Sequence, residues 1–383
     1  MHSAASWYSN PTARFWRTEP LTDDIVGFHE TLPGYARTRL VEVPALAADL
    51  GVGRLFVKEE SARLGLPAFK ILGASYAVSR ALSARLGTAD AALGLADLKL
   101  RMAASDPVTL IAATDGNHGR AVAHVAGLLG LRARIFVPAS LTQVAKDAVA
   151  GEGASVSELE LSYDGVVAAA ADAAAAAGPE SLLIQDTSWP GYEQVPQWIV
   201  DGYSTLFEEA DAQLAEHGLV GVDLVVVPVG VGSLAQAAVR HYRSTEVAPP
   251  VVLSVEPRNA PAIIASLHAG KAISVDTTHT IMAGLNCGTP SEIAWPYLNA
   301  GLDAAVTVSE DEAARAVHDL EGVDVDAGPC GAATLAGLRA LVADRNRRVT
   351  TGVGDDAVVL LVSTEGRAAN PLPGVGHEQA RGE

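Results

Sequence analysis

Val225-Val226-Val227-Pro228-Val229-Gly230-Val231-Gly232-Ser233 decides how the chain folds. Its β-branched, wholly apolar start reads as a buried strand over Leu224–Pro228, and residues 234–243 beyond it read as a helix. A strand apolar on both faces belongs in a parallel sheet covered by helices on both sides. Glycines at such a turn let the backbone approach an anion, and the amides of the following helix point at it. The spacing is neither a Walker loop nor a full dinucleotide fingerprint. A tight strand-to-helix turn and a phosphate cradle are therefore both open for Gly230, Val231, Gly232 and Ser233.

The same alternation spreads outward from this stretch. Upstream, strands are expected at 55–58, 109–113, 133–137, 155–159 and 182–185, with helices at 71–85, 119–129, 141–150 and 163–177. Downstream, strands are expected at 251–255, 305–308 and 358–362. One long helix is expected over 197–217, and residues 88–107 read as a weakly patterned surface excursion. The fold class is α/β: two open, twisted, parallel-sheet domains with helices on both faces and right-handed crossovers. Residues 1–72 and 196–383 form the larger domain and residues 73–195 the smaller. Ligands in such folds sit at the carboxyl ends of the strands, so the active site is expected in the crevice between the sheets.

Composition narrows the function. The chain has 383 residues, 49% hydrophobic, with a formal net charge of −18. It is long enough to bury real cores and too acidic to favour nucleic acid, whose phosphates need clustered Lys and Arg. No apolar run is long enough to span a membrane, and residues 1–17 lack the apolar core of a signal peptide. With only two cysteines, Cys287 and Cys330, neither a disulfide framework nor a zinc site is expected. Reduced thiols, a cytoplasmic location and no metal follow as expectations. The polar tail after Gly366 reads as partly disordered.

Only five lysines are present. One of them, Lys70, closes the apolar run Gly65-Leu66-Pro67-Ala68-Phe69-Lys70 just before a helix. Apolar surroundings lower a lysine pKa by penalising the charged form, which is what an amine nucleophile requires. A surface lysine at a helix start is the alternative, at the electrostatically unfavourable end. Thr114-Asp115-Gly116-Asn117-His118-Gly119 lies in another strand-to-helix turn. Helix capping accounts for one of its polar side chains but not for all of them with two glycines and a histidine.

Taken together, Lys70, the Asn117 turn, the Gly230–Ser233 turn and the strand end Ser363-Thr364-Glu365-Gly366 resemble the fold type II pyridoxal-phosphate (PLP) enzymes. Within these the chain is most similar to the diaminopropionate ammonia-lyases. That resemblance also rests on Leu32-Pro33-Gly34-Tyr35, Val57-Lys58-Glu59-Glu60-Ser61, Gln185-Asp186-Thr187-Ser188-Trp189, Pro196-Gln197-Trp198-Ile199 and Thr280-Ile281-Met282-Ala283-Gly284-Leu285. It implies that Lys70 carries the PLP, that Asn117 contacts the ring hydroxyl oxygen and that Gly230, Val231, Gly232 and Ser233 bind the phosphate. Ser363 or Thr364 would face the pyridine nitrogen. Asp115 would take the Cα proton of the D-substrate and Asp186 that of the L-substrate.

The implied reaction is α,β-elimination of ammonia from D- and L-2,3-diaminopropionate to pyruvate and ammonia, by a homodimer acting on a small amino acid. A serine or threonine dehydratase or racemase of the same fold is the alternative, although these usually carry serine at the Asp115 position. A non-catalytic PLP or amino-acid binding protein is the reading from another class. Lys58 and His118 stay open as extra acid–base groups or structural ones.

Overall fold

The computed structural model describes residues 6–88, 92–114, 116–245 and 248–372. The eleven strands among these are β1 (Trp7–Ser9), β2 (Leu40–Glu42), β3 (Arg54–Glu59), β4 (Thr109–Ala113), β5 (Arg132–Pro138), β6 (Ser155–Leu159), β7 (Ser181–Leu183), β8 (Leu224–Pro228), β9 (Val251–Pro257), β10 (Ala304–Val308) and β11 (Val358–Ser363). They form a seven-stranded sheet, β1-β10-β9-β8-β11-β3-β2, and a four-stranded sheet, β6-β5-β4-β7. Every neighbour pair of the smaller sheet is parallel. In the larger sheet β10, β9, β8, β11 and β3 run parallel, and the short edge strands β1 and β2 pair antiparallel.

The apolar run that opened the sequence argument lies at the middle of the larger sheet. Leu224 and Val226 of β8 join one core and Val225 joins the other, on the opposite face. β11 divides likewise, with Val359 and Leu361 on one side and Leu360 and Val362 on the other. A strand that buries alternate residues in two cores needs a continuous apolar sequence, which is why these strands read without polar interruptions.

Two expectations require correction. The helix expected over 197–217 is two helices, Gln194–Gly202 and Ser204–Glu216. At Gly202 an added Cβ would meet the Leu72 carbonyl oxygen at 2.7 Å, so a crossing helix presses on the break. Tyr203, at the break, is buried with its ring centroid 4.7 Å from that of Phe69. The surface excursion of 88–107 contains the helix Leu95–Ala103, seated by buried Leu95, Leu98 and Met102. The tail is held as far as Leu372, where Asn370 donates to the Ile281 carbonyl (2.8 Å). Its remainder lies outside the described residues. Among the described residues no helix is long and apolar enough to cross a membrane.

Candidate active site

Five loops meet at one cavity of about 660 Å³, each from the carboxyl end of a parallel strand. The loop after β3 brings Lys70, the turn after β4 brings Asn117, and the segment after β7 brings Asp186. The turn after β8 brings Gly230–Ser233, and the end of β11 brings Thr364 and Glu365.

Lys70 forms the N-cap of the helix Ile71–Arg85, and its loop is pinned to the end of β11. Phe69 N–H donates to Thr364 O (3.1 Å) and Gly366 N–H donates to Pro67 O (3.0 Å). Lys70 Nζ donates to Asp186 Oδ2 at 2.6 Å. This pair joins two residues that are 116 apart in the chain. Asp186 also accepts from Gln185 Nε2 (3.3 Å), and Gln185 is fixed by accepting the Ala113 N–H (2.9 Å). Burial alone would push the Asp186 carboxyl up. The neighbouring His118 and Lys70 outweigh it and draw the pKa down to about 2.

His118 packs beneath this pair. Its Nε2 bonds the Ile184 carbonyl (2.8 Å), while Nδ1 stands 3.8 Å from Asp186 Oδ2 and has no hydrogen-bond partner. Burial pushes the imidazole pKa down, against the pull of Asp186. Lys58 is different. It lies away from the cavity in a buried cluster with Glu209 (2.7 Å) and Gln213 (2.8 Å), so its role is structural.

The Gly230–Ser233 turn has the geometry of an anion cradle. Gly232 has φ +105°, and an added Cβ would meet Leu298 Cδ1 at 2.7 Å. The helix Ser233–Arg243 that follows receives no side-chain cap, so its first amides face the cavity without a side-chain acceptor. The Ser233 hydroxyl is already engaged, donating to the Asp186 carbonyl (2.7 Å). It ties the cradle to the acid rather than pointing into open space. Ser291 adds a second tie: its N–H donates to Val231 O (2.8 Å) and its hydroxyl meets that of Ser188 (2.8 Å).

On the opposite wall Asn117 Nδ2 donates to Glu365 Oε2 at 2.7 Å. Thr364 lines the cavity, while Ser363 Oγ is buried behind Gly331 with no hydrogen-bond partner. Asp115 lies outside the described residues. Glu365, Tyr163, Cys287 and Cys330 also line the cavity, none of them proposed from sequence as a site residue. Both cysteines are buried.

An uncapped helix end and a lysine on the wall of the same cavity, with the orphaned Ser363 hydroxyl buried next to the cavity residue Thr364, fit a phosphorylated ring aldehyde. Among the described residues no cluster could hold a metal ion.

Comparison with known proteins agrees with this fit. The pattern of the family described as "Pyridoxal-phosphate dependent enzyme" matches residues 31–364. Diaminopropionate ammonia-lyase of Salmonella typhimurium is 33% identical over 361 residues, covering 90% of this chain and 88% of the relative. The Escherichia coli K12 protein of the same name is 34% identical over 350 residues, covering 88% and 86%. The crystal structure of the Escherichia coli enzyme in complex with D-serine superposes with a TM-score of 0.85 at 30% identity, covering 94% of each chain.

Proposed function

Because the chain belongs to the pyridoxal-phosphate dependent enzymes, in the family of the diaminopropionate ammonia-lyases, we propose that its cavity eliminates ammonia from D- and L-2,3-diaminopropionate to give pyruvate and ammonia. The observation that carries this reading is the 2.6 Å contact between Lys70 Nζ and Asp186, beside an uncapped helix end in one cavity. PLP, when bound, supplies an aldehyde for the substrate amine and an electron-accepting ring that makes the Cα–H acidic.

The residues of the chain do the rest. Lys70 Nζ is the amine that would hold the aldehyde carbon. Gly230, Val231, Gly232 and the Ser233 amide would take the phosphate, and Asn117 Nδ2 would serve the ring oxygen. The pyridine nitrogen would fall to a neutral hydroxyl, that of Ser363 or Thr364, which withholds a full proton from it.

Asp186 changes character as Lys70 moves. With the ammonium 2.6 Å away the carboxylate is held low and is a weak base. Once that ammonium is withdrawn, burial is opposed by fewer charges and the same carboxylate becomes a stronger base for a Cα proton. Asp186 would serve the L-isomer in this way, and Asp115 the D-isomer. Residues 73–195, which contain the whole four-stranded sheet, would close as one unit over the other formed by 1–72 and 196–383 and keep water out.

The test is Asp186→Asn. Pyruvate release from L-2,3-diaminopropionate should fall about 10²- to 10⁴-fold, and release from the D-isomer should stay within about tenfold. Equal losses on both isomers would refute the division of labour.

The cradle has its own test. Gly232→Ala forces an L-residue to φ +105° against Leu298, so the affinity of the apoprotein for PLP should fall about tenfold or more. Gly221→Ala has no neighbour within 4 Å of the added carbon and serves as the unaffected control in the same titration.

A further inference from the structure

Glu365 is a buried carboxyl on the wall of the cavity. It also lines a second hollow of about 970 Å³ between the Leu141–Ala145 side and Ala369–Leu372. The two spaces share Asn117, Gly284 and Glu365, so Glu365 stands where the outer hollow meets the inner one. Its backbone is fixed by Gly328 N–H donating to its carbonyl (2.8 Å) and by the bridge to Ala68, two residues before Lys70.

The carboxylate oxygens are met by neutral donors. Asn117 Nδ2 donates to Oε2 (2.7 Å), and the Cys330 N–H and Asn370 Nδ2 donate to Oε1 (both 3.3 Å). The Cys330 thiol is a further neutral donor. Lys70 is taken by Asp186. Among the described residues Glu365 has no cationic partner, although it lines the same cavity as Lys70. A buried carboxylate without a cation is expensive to keep, and burial accordingly pushes its pKa up.

We propose that Glu365 is the residue that recognises the second, β-amino group of the substrate, an inference that rests on the ammonia-lyase reading above. Serine and threonine carry a hydroxyl at Cβ, where diaminopropionate carries an ammonium. A carboxylate binds an ammonium by a charge-assisted hydrogen bond, roughly twice as strong as a neutral one. It also raises the pKa of that amine and keeps it protonated. The Cβ–N bond breaks with its electron pair on nitrogen. A nitrogen that enters with three protons leaves as neutral ammonia, with no later proton delivery.

The experiment measures pyruvate release from 2,3-diaminopropionate and from serine, in wild type and in Glu365→Gln, with PLP bound. The variant should lose roughly 30-fold or more in kcat/KM on diaminopropionate and stay within about threefold on serine. Equal losses on both substrates would assign Glu365 to holding Asn117 and overturn the proposal, as would no loss at all.

A binding readout stands beside the rates. In Lys70→Ala protein, calorimetry should show diaminopropionate binding more tightly than alanine, and adding Glu365→Gln should abolish the gap. A gap that survives overturns the proposal. If Glu365→Gln does not fold, Glu365→Asp retracts the carboxylate by one methylene and should still cut the diaminopropionate-to-serine selectivity about tenfold; unchanged selectivity overturns the idea. A wild-type protein that releases pyruvate from serine and none from diaminopropionate would instead remove the parent reading.

Discussion

Lys70→Ala is expected to abolish the visible absorbance of the bound cofactor that borohydride would otherwise trap on this side chain, and to reduce pyruvate release by at least about 10³-fold. The size of the effect follows from what the amine touches. Lys70 is the lysine on the cavity wall, at the N-cap of a helix whose loop is bonded to the end of β11, so no other lysine in the described structure can take its place. Its Nζ also lies 2.6 Å from Asp186. Removing it would take away both the proposed anchor of the cofactor and one of the charges that hold the acid low. The loss of the ammonium should raise the Asp186 pKa, because burial is then opposed by fewer charges. Peptide mapping after borohydride should place the label on Lys70 in wild type. A variant that stays yellow and turns over diaminopropionate at the wild-type rate would mean that the amine lies elsewhere.

How far the sequence carried this site depends on what each residue had to do. Strands β4, β8 and β11 read clearly because burial on two faces leaves no room for polar interruptions, and the motifs at their ends followed. The edge strands β1 and β2 are three residues each and half-buried throughout, which leaves no period to read. The helix Leu95–Ala103 buries only Leu95, Leu98 and Met102, a stripe too narrow to separate from a loop on composition. The break at Tyr203 is tertiary: it depends on the pressure of Leu72 on Gly202, which local preference does not encode.

Within the site, Lys70 and the Asn117 turn stand out by residue type, the glycine turn reads equally well as an ordinary tight turn, and Asp186 enters only through the family resemblance. Glu365 was passed over although it lay inside the quoted motif Ser363-Thr364-Glu365-Gly366. A glutamate at a strand end looks like a solvated turn residue until the fold places it 2.7 Å from Asn117, whose chain position is 248 residues away. The Ser233 hydroxyl donates to the Asp186 carbonyl, a contact between residues 47 apart that local sequence does not encode.

Glu209→Gln should be the most destabilising of these substitutions, by about 3–5 kcal/mol, although Glu209 touches neither substrate nor cofactor. Glu209 accepts from Lys58 Nζ (2.7 Å), from Arg63 Nη1 and Nη2 (2.6 and 2.7 Å) and from the Tyr35 hydroxyl (2.8 Å). Glu60 and Thr38 close the network around Arg63, and the Lys58, Glu60 and Arg63 side chains are fully buried. Neutralising Glu209 leaves two buried cations facing one remaining carboxylate, which is why the expected cost exceeds that of an ordinary hydrogen bond.

This cluster also explains two of the sequence motifs, the Val57–Ser61 run and Tyr35, as scaffolding rather than chemistry. It anchors the loop after β3 through Arg63, whose N–H and carbonyl both pair with Leu66, four residues before Lys70. The pH dependence has a definite sign. Burial pushes Glu209 up, but Arg63 and Lys58 outweigh it and bring its pKa from an ordinary 4.5 to about 2. The contribution to stability is therefore complete above about pH 4.5 and disappears as pH falls towards 2. Urea midpoints of wild type and Glu209→Gln should differ most at neutral pH and converge in acid. Glu216→Gln, which breaks the exposed pair with Arg37 (2.8 Å), should leave the midpoint unchanged throughout. A Glu209→Gln midpoint equal to that of wild type at neutral pH would show that the buried cations find other partners, and the network could then no longer be what fixes the Lys70 loop.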